Sequence, residues 1–166
     1  MNGTDVFLCL GANLGDPFVQ ISTAIDWLDA QGVSIVKRSS WYATEPEGIE
    51  DQPWFVNRVV QASTDMSPLE LLERCQQAEH RAGRTRSERY GPRLLDVDIL
   101  LMGTLCLATD RLTLPHPRMH QRRFVLVPLT EIAPELKAPS TGERYADILS
   151  RLDEGKKVVP LSSKEY

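Results

Sequence analysis

Short apolar runs and helical-period stripes divide the chain into strands and helices. Val6-Phe7-Leu8-Cys9-Leu10 is a continuous apolar run ended by Gly11, the pattern of a buried strand. After a turn over Gly11 to Asp16, Asp16 can cap a helix that Pro17 opens. Phe18, Ile21, Ile25 and Leu28 then recur at helical spacing, and Gly32 closes the element. Val33 to Thr44 and Phe55 to Ser63 read as strands, rich in β-branched and aromatic residues. Between them, Glu45 to Pro53 holds two prolines, a glycine and several acids, which predicts a loop. Ser67-Pro68-Leu69-Glu70 is a capping box with proline at the first helical position. The helix it starts carries Leu71, Cys75, Ala78 and Ala82 on one stripe and stops at Gly83. Arg84 to Pro92 shows no hydrophobic period and reads as a loop. Leu94 to Met102 is a strand, Leu105 to Leu107 and Leu112 to Leu114 are short strand candidates, and Phe124 to Val127 reads as another strand. A helical turn near Thr130 to Ala133, a helix over Tyr145 to Leu152 and an edge strand at Val158-Val159 complete the reading.

The order β-α-β-β-α-β followed by a C-terminal extension predicts an α+β fold. It is a ferredoxin-like split β-α-β sandwich, with a mostly antiparallel sheet and two main helices on one face. At 166 residues one domain, 1–166, is expected. Hydrophobic residues at 42% and charged residues at 25% are ordinary for a globular protein and exclude a disordered tail or a fibre. No apolar run approaches the roughly 20 residues that span a bilayer, and no secretory signal precedes Val6, so no membrane partner and a cytoplasmic location are expected. Cys9, Cys75 and Cys106 are odd in number and widely spaced, which fits a reducing compartment; Cys9 and Cys75 read as buried inert thiols.

The net charge of −4 argues against a protein that coats nucleic acid. Yet nine of the fourteen arginines fall between Arg81 and Arg123, which points to a compact anionic ligand. In Arg93-Leu94-Leu95-Asp96-Val97-Asp98-Ile99-Leu100, strand periodicity turns Asp96 and Asp98 to one face and Leu95, Val97 and Ile99 to the other. Two like charges side by side repel unless a cation lies between them, and hard carboxylate oxygens suit Mg²⁺. The bland alternative is a strand with a wet face. The preceding loop supplies Arg84, Arg86, Arg89 and Arg93, whose guanidinium forks match phosphate oxygens. Arginines beside a carboxylate-bound metal are what phosphoryl transfer requires. No GxxxxGK[ST] segment occurs, so a nucleotide site here is not a P-loop. His116 lies between Pro115 and Pro117, Gln76 and Glu79 share the polar side of the second helix, and Phe55 and Asn57 share a strand face that could hold a flat heterocycle. Taken alone, His116 reads as a hydrogen-bonded structural group, Gln76 and Glu79 as a polar helix face, and Phe55 and Asn57 as core.

Together the pieces resemble the 6-hydroxymethyl-7,8-dihydropterin pyrophosphokinase family. The most specific block is Arg89-Tyr90-Gly91-Pro92-Arg93-Leu94-Leu95-Asp96-Val97-Asp98-Ile99-Leu100. Further blocks are Leu10 to Asp16, Thr44 to Asn57 with Asp51-Gln52-Pro53, Leu114-Pro115-His116-Pro117-Arg118-Met119-His120-Gln121-Arg122-Arg123-Phe124, and Pro128 to Pro134. The resemblance implies a ferredoxin-like fold and transfer of the β,γ-pyrophosphoryl group of the co-substrate ATP to the pterin 6-hydroxymethyl oxygen, with release of AMP. It implies two Mg²⁺ ions on Asp96 and Asp98, and loop arginines Arg84 and Arg93 closing on the phosphates. His116 and Arg122 would touch phosphate or ribose, and Gln76, Glu79, Ile99, Arg111 and Thr113 would line the nucleotide wall. Phe55 and Phe124 would sandwich the pterin, with Thr44, Asn57 and the backbone of Glu45 and Glu47 along its hydrogen-bonding edge. Departures from the family pattern are Glu45 in place of proline, Phe55 in place of tyrosine, Tyr90 in place of tryptophan, Ser87 where some members carry lysine, and an arginine loop one residue shorter. The length further implies a stand-alone enzyme without the fused domains of some relatives, and a monomer is expected. Competing readings are another Mg²⁺-dependent nucleotide transferase and a non-catalytic ferredoxin-like binding module. An RNA-binding reading fails on net charge and on the carboxylate pair.

Overall fold

A computed structural model describes residues 3–46, 51–83, 94–153 and 155–161. Its sheet is built around β1 (Thr4–Ala12), which pairs antiparallel with β4 (Phe55–Thr64) on one side and β5 (Asp96–Met102) on the other. The far edge of β4 is shared by β2 (Ser34–Arg38) and β3 (Tyr42–Thr44), and β3 pairs in turn with β8 (Val158–Pro160). The six-stranded order β5-β1-β4-β3-β8, with β2 also on β4, is the split β-α-β arrangement expected from the sequence. A separate ribbon joins β6 (Leu107–Ala108) to β7 (Thr113–Leu114).

Helices α1 (Pro17–Ala30) and α2 (Pro68–Arg81) cover one face of the sheet. Asp16 Oδ1 caps α1 by accepting from the Val19 N–H, and the Ser67–Glu70 capping box of α2 is formed in both directions. Gly32 ends the first helical segment at φ +97°, a conformation that disfavours a β-carbon. The core beneath these helices contains Val6, Leu8 and Leu10 of β1, Ile21, Ile25 and Leu28 of α1, Leu71 and Cys75 of α2, and Leu95, Val97 and Ile99. The opposite face is covered by the C-terminal extension: α3 (Arg123–Ile132) and α4 (Tyr145–Ser150), preceded by a 3-10 turn at Met119–Gln121, pack on Phe7, Cys9, Val59, Leu100 and Leu101. Burial on both faces is why β1 reads as an unbroken apolar run. On β5 an irregularity opposite Phe7/Leu8 places Leu100 beside Leu101 in this second core, whereas Ile99 faces the first.

Two elements differ from the sequence reading. Val33 to Thr44 is not one strand. The chain leaves the sheet between Arg38 and Tyr42, where Ser39 Oγ accepts from the Val59 N–H and Arg58 Nε donates to the Ser39 carbonyl. A side-chain oxygen there replaces a ladder acceptor. Phe124 to Val127 is not a strand but the first half of α3, which continues through Pro128. Val125, Leu126, Leu129 and Ile132 are buried at helical spacing, together with Pro128, and a four-residue apolar window is too short to distinguish the two periods. Cys9 and Cys75 are buried free thiols as expected, and Cys106 is exposed.

Candidate functional site

The chemistry-bearing residues gather where the second face of the sheet runs out from under α3 and α4. Val97 and Ile99 enter the first core, so Asp96 and Asp98 occupy the other face, both half-buried. Across β1 their register partners are Gly11 and Cys9, and Gly11 is also the partner of Asn57 on β4. Asn57 is paired in turn with Tyr42, and Phe55 with Thr44. One row of strand positions therefore carries Asp96, Gly11, Asn57 and Tyr42 side by side.

Gly11 is there for space. A β-carbon on it would lie 2.6 Å from Asn57 Nδ2, so the glycine lets the amide lie over β1. Asn57 is 5% exposed and Thr44 3% exposed, yet among the described residues Asn57 Oδ1 and Thr44 Oγ1 have no hydrogen-bond partner. Orphaned buried oxygens are uncommon because each costs about 1–3 kcal/mol. Two of them on neighbouring strands of one face form an edge suited to the donors of a polar ligand. Phe124, at the start of α3, is half-buried against the second core, with the Arg122 guanidinium 5.3 Å from its ring centre. Asn13, which the sequence reading left unassigned, is buried and its Nδ2 donates to Gln52 Oε1 and to the Pro53 carbonyl, both at 2.9 Å. It ties the 51–53 loop to the turn after β1.

Of the nucleotide-wall candidates, Glu79, Ile99 and Thr113 lie on or beside β5. Glu79 Oε2 accepts from the Val97 N–H at 2.9 Å, so α2 places a carboxylate on the strand edge between the two aspartates. Gln76 is exposed and lines a surface cavity of about 600 Å³ with Trp27, Glu73, Gln77, His80 and Arg81. Ile99 is 4% exposed and its side chain lies in the first core, so contacts from this residue can come only from its main chain. The His116 N–H donates to the Leu100 carbonyl at 2.9 Å, holding the stretch after β7, with Thr113 in β7 and Arg111 exposed before it, close to β5. Glu45 departs from expectation in one respect. Its N–H donates to the Lys157 carbonyl and its Oε1 accepts from the Lys157 N–H, so its amide is committed to the segment leading into β8 and only its carbonyl is left for an edge contact. Arg84, Arg93 and Glu47 lie outside the described residues.

The electrostatics are mixed in sign. Burial pushes the Cys9 thiol far up, Asp98 adds to the rise, and Arg122 opposes it, so Asp98 and Arg122 act on the same buried atom. Burial, then Arg122 and Arg118, push His116 down to about 4. Its Nδ1 accepts from the Arg118 N–H at 3.2 Å, which leaves Nε2 as the protonated nitrogen of a neutral ring, a hydrogen-bond donor at neutral pH. The folded protein thus binds fewer protons at this site than the unfolded chain between pH 4 and 6.5. This contribution to stability is complete above pH 6.5 and is lost as pH falls toward 4. An NMR titration of the ligand-free protein is expected to follow the His116 imidazole to a midpoint near 4; a midpoint near 6.5 would contradict the assignment.

Among the described residues no group of three or more histidine, cysteine, aspartate or glutamate side chains gathers as a self-sufficient metal cage. The donor set of Asp96 and Asp98 still fits Mg²⁺, which commonly takes one or two carboxylates and completes its shell with water and substrate phosphate oxygens.

Residues 7–134 match the sequence profile of the family described as 7,8-dihydro-6-hydroxymethylpterin-pyrophosphokinase. The chain is 42% identical over 151 residues to the 2-amino-4-hydroxy-6-hydroxymethyldihydropteridine pyrophosphokinase of Methylorubrum extorquens, covering 90% of this chain and 94% of that one. It is 43% identical over 136 residues to the enzyme of the same name from Bacillus subtilis, covering 81% of each. Among solved structures, the HPPK-DHPS protein of Plasmodium falciparum with pteroate superposes with a TM-score of 0.72 over 90% of this chain and 42% of that chain. At 16% identity that likeness speaks for the fold alone, and this chain spans less than half of the larger protein.

Proposed function

The chain belongs to the 7,8-dihydro-6-hydroxymethylpterin-pyrophosphokinase family, and on that premise we propose that the Asp96/Asn57 face of its sheet is the catalytic site. The reaction is transfer of pyrophosphate from ATP to 6-hydroxymethyl-7,8-dihydropterin in folate biosynthesis. The hydroxymethyl oxygen attacks the β-phosphorus, the bond from that phosphorus to the α,β-bridging oxygen breaks, AMP leaves, and the hydroxyl proton is released. The observation that carries the site assignment is the pair of buried, unpartnered oxygens, Asn57 Oδ1 and Thr44 Oγ1, on the same sheet face as Asp96 and Asp98.

Each residue has a physical task in this reading. Asn57 and Thr44 accept from the N–H groups of the pterin edge, and Phe55 and Phe124 offer aromatic surface to its ring. Asp96 and Asp98 would hold two Mg²⁺ ions, whose chemistry there would be to neutralise phosphate charge and to favour the ionised hydroxymethyl oxygen. His116 donates from neutral Nε2 to a phosphate or ribose oxygen, and Arg122 supplies positive charge toward the triphosphate. Arg84 and Arg93 close on the phosphates, where charge builds on the leaving group. Gln76, Glu79, Arg111, Thr113 and the main chain of Ile99 form the nucleotide wall, and Glu45 and Glu47 contribute backbone to the pterin edge. The protein works as a monomeric single domain, 1–166, in the cytoplasm; among the described residues no helix is long and apolar enough to cross a membrane.

Calorimetry with a non-hydrolysable ATP analogue tests the site: binding is expected with Mg²⁺ and is expected to collapse without it. Equal affinity in both conditions would contradict a metal-bridged triphosphate. Gly11→Ala is a narrower test. The new methyl must displace the Asn57 amide, so the pterin KM is expected to rise about tenfold, the cost of roughly one hydrogen bond, with the ATP KM unchanged. A pterin KM within twofold of wild type would remove Asn57 from the pterin edge.

A further inference from the structure

Helix α3 contributes to the site at one end and is fastened to the sheet at the other. Phe124 stands in its first turn and Glu131 near its last. The two are seven residues apart, nearly two full turns, so they project from the same side of the helix roughly 10 Å apart along its axis. Glu131 makes its contacts more than eighty residues back along the chain, to the segment that leads into β3. Its Oε1 accepts from the Ser40 N–H at 3.0 Å and from the Tyr42 hydroxyl at 2.8 Å. Its Oε2 accepts from the Ser40 N–H at 3.2 Å and from the Ser40 hydroxyl at 2.7 Å. Lys37 Nζ donates to the carbonyl of Ile132, the last residue of α3, at 3.5 Å. The Tyr42 hydroxyl is held in its protonated, donating form by burial and by the Glu131 carboxylate.

Tyr42 is a buried residue of β3 and the direct register partner of Asn57, and Thr44 follows two positions later on the same face. The carboxylate therefore joins the helix that carries Phe124 to the strand pair that carries Thr44 and Asn57. We infer that Glu131 is a positioning residue for the pterin site, bracing α3 against β3 so that the Phe124 ring keeps its spacing from the Thr44/Asn57 edge. The inference rests on the pterin reading of that face. Glu131 touches no substrate. It fixes the rotation and slide of α3, and a flat ring bound between an aromatic face and a hydrogen-bonding edge needs both at their proper separation. The nucleotide wall on β5 lies across the sheet from the brace, and among the proposed nucleotide contacts Arg122, the N-cap of α3 at the end remote from Glu131, is the one that adjoins this helix.

The test compares steady-state kinetics of wild type, Glu131→Ala, Glu131→Gln and Tyr42→Phe, with ATP and 6-hydroxymethyl-7,8-dihydropterin varied separately. Glu131→Ala is expected to raise the pterin KM about tenfold while the ATP KM stays within twofold. Glu131→Gln, whose amide oxygen can still accept from Ser40, is expected to recover most of that loss. Tyr42→Phe, which removes one hydrogen bond and keeps the ring, is expected to raise the pterin KM about threefold, and it decides the matter should Glu131→Ala not fold. A merely structural role would lower the active fraction and leave both KM values unchanged; that result, or equal shifts in both KM values, overturns the brace. Wild type that turns over with this pterin while the variants match it defeats the brace alone. Wild type that neither binds nor turns over the pterin defeats the proposed function and the brace with it.

Discussion

Asp98→Ala is expected to abolish turnover, on the order of 10³-fold or more, while leaving the protein folded and no less stable than wild type. The catalytic loss follows from removing a carboxylate that would hold Mg²⁺ against the triphosphate, where preorganised electrostatic groups typically contribute factors of 10² to 10³ each. The unchanged stability follows from its position. Asp98 is half-buried on the same strand face as Asp96 and outside both hydrophobic cores, so truncating it opens no apolar cavity and removes a like charge from beside its neighbour. Asp96→Ala should behave in the same way. Thermal melts beside AMP-release assays check both halves, and near-normal turnover in either variant would remove that residue from the metal site.

Asn57→Ala should weaken pterin use about a hundredfold with little change in the ATP KM. A site built to hydrogen-bond a polar edge discriminates strongly, because the groups left unpaired pay their full desolvation cost, about 1–3 kcal/mol for each bond lost. Asn57 offers such an edge: it is buried, its Oδ1 is unpartnered, and Gly11 beneath it leaves room for the amide. Separate KM measurements for the two substrates decide it. An equal loss for both would mean that Asn57 supports the fold rather than the pterin.

Much of this architecture could be read from the chain because local signals and tertiary packing agree. Asp16-Pro17 and Ser67-Pro68-Leu69-Glu70 start helices by satisfying first-turn N–H groups, and both caps are formed. The alternation through Leu95 to Ile99 turns the aspartates away from the core by geometry alone. Failures occurred where distant contacts decide local form. Ser39 takes over a ladder hydrogen bond from across the sheet, which breaks the apparent strand from Val33 to Thr44. The window Phe124 to Val127 is helical because the second core accepts Val125, Leu126 and Leu129 on one side of a helix. The anchoring roles of Gly11, Asn13 and Glu131 depend on partners thirty-nine to ninety-one residues away, and nothing in their immediate sequence marks them. Glu131 lies inside the Pro128 to Pro134 block, where a carboxylate near a helix end reads as surface.

Roles on the sheet face rest on one chemical claim, that this protein moves two phosphoryl groups together. Incubating it with ATP, Mg²⁺ and 6-hydroxymethyl-7,8-dihydropterin and separating the nucleotides tests that claim directly. The account predicts AMP in equal amount with pterin diphosphate, and formation of neither when the pterin or Mg²⁺ is left out. ADP as the nucleotide product, or AMP formed independently of the pterin, would contradict it.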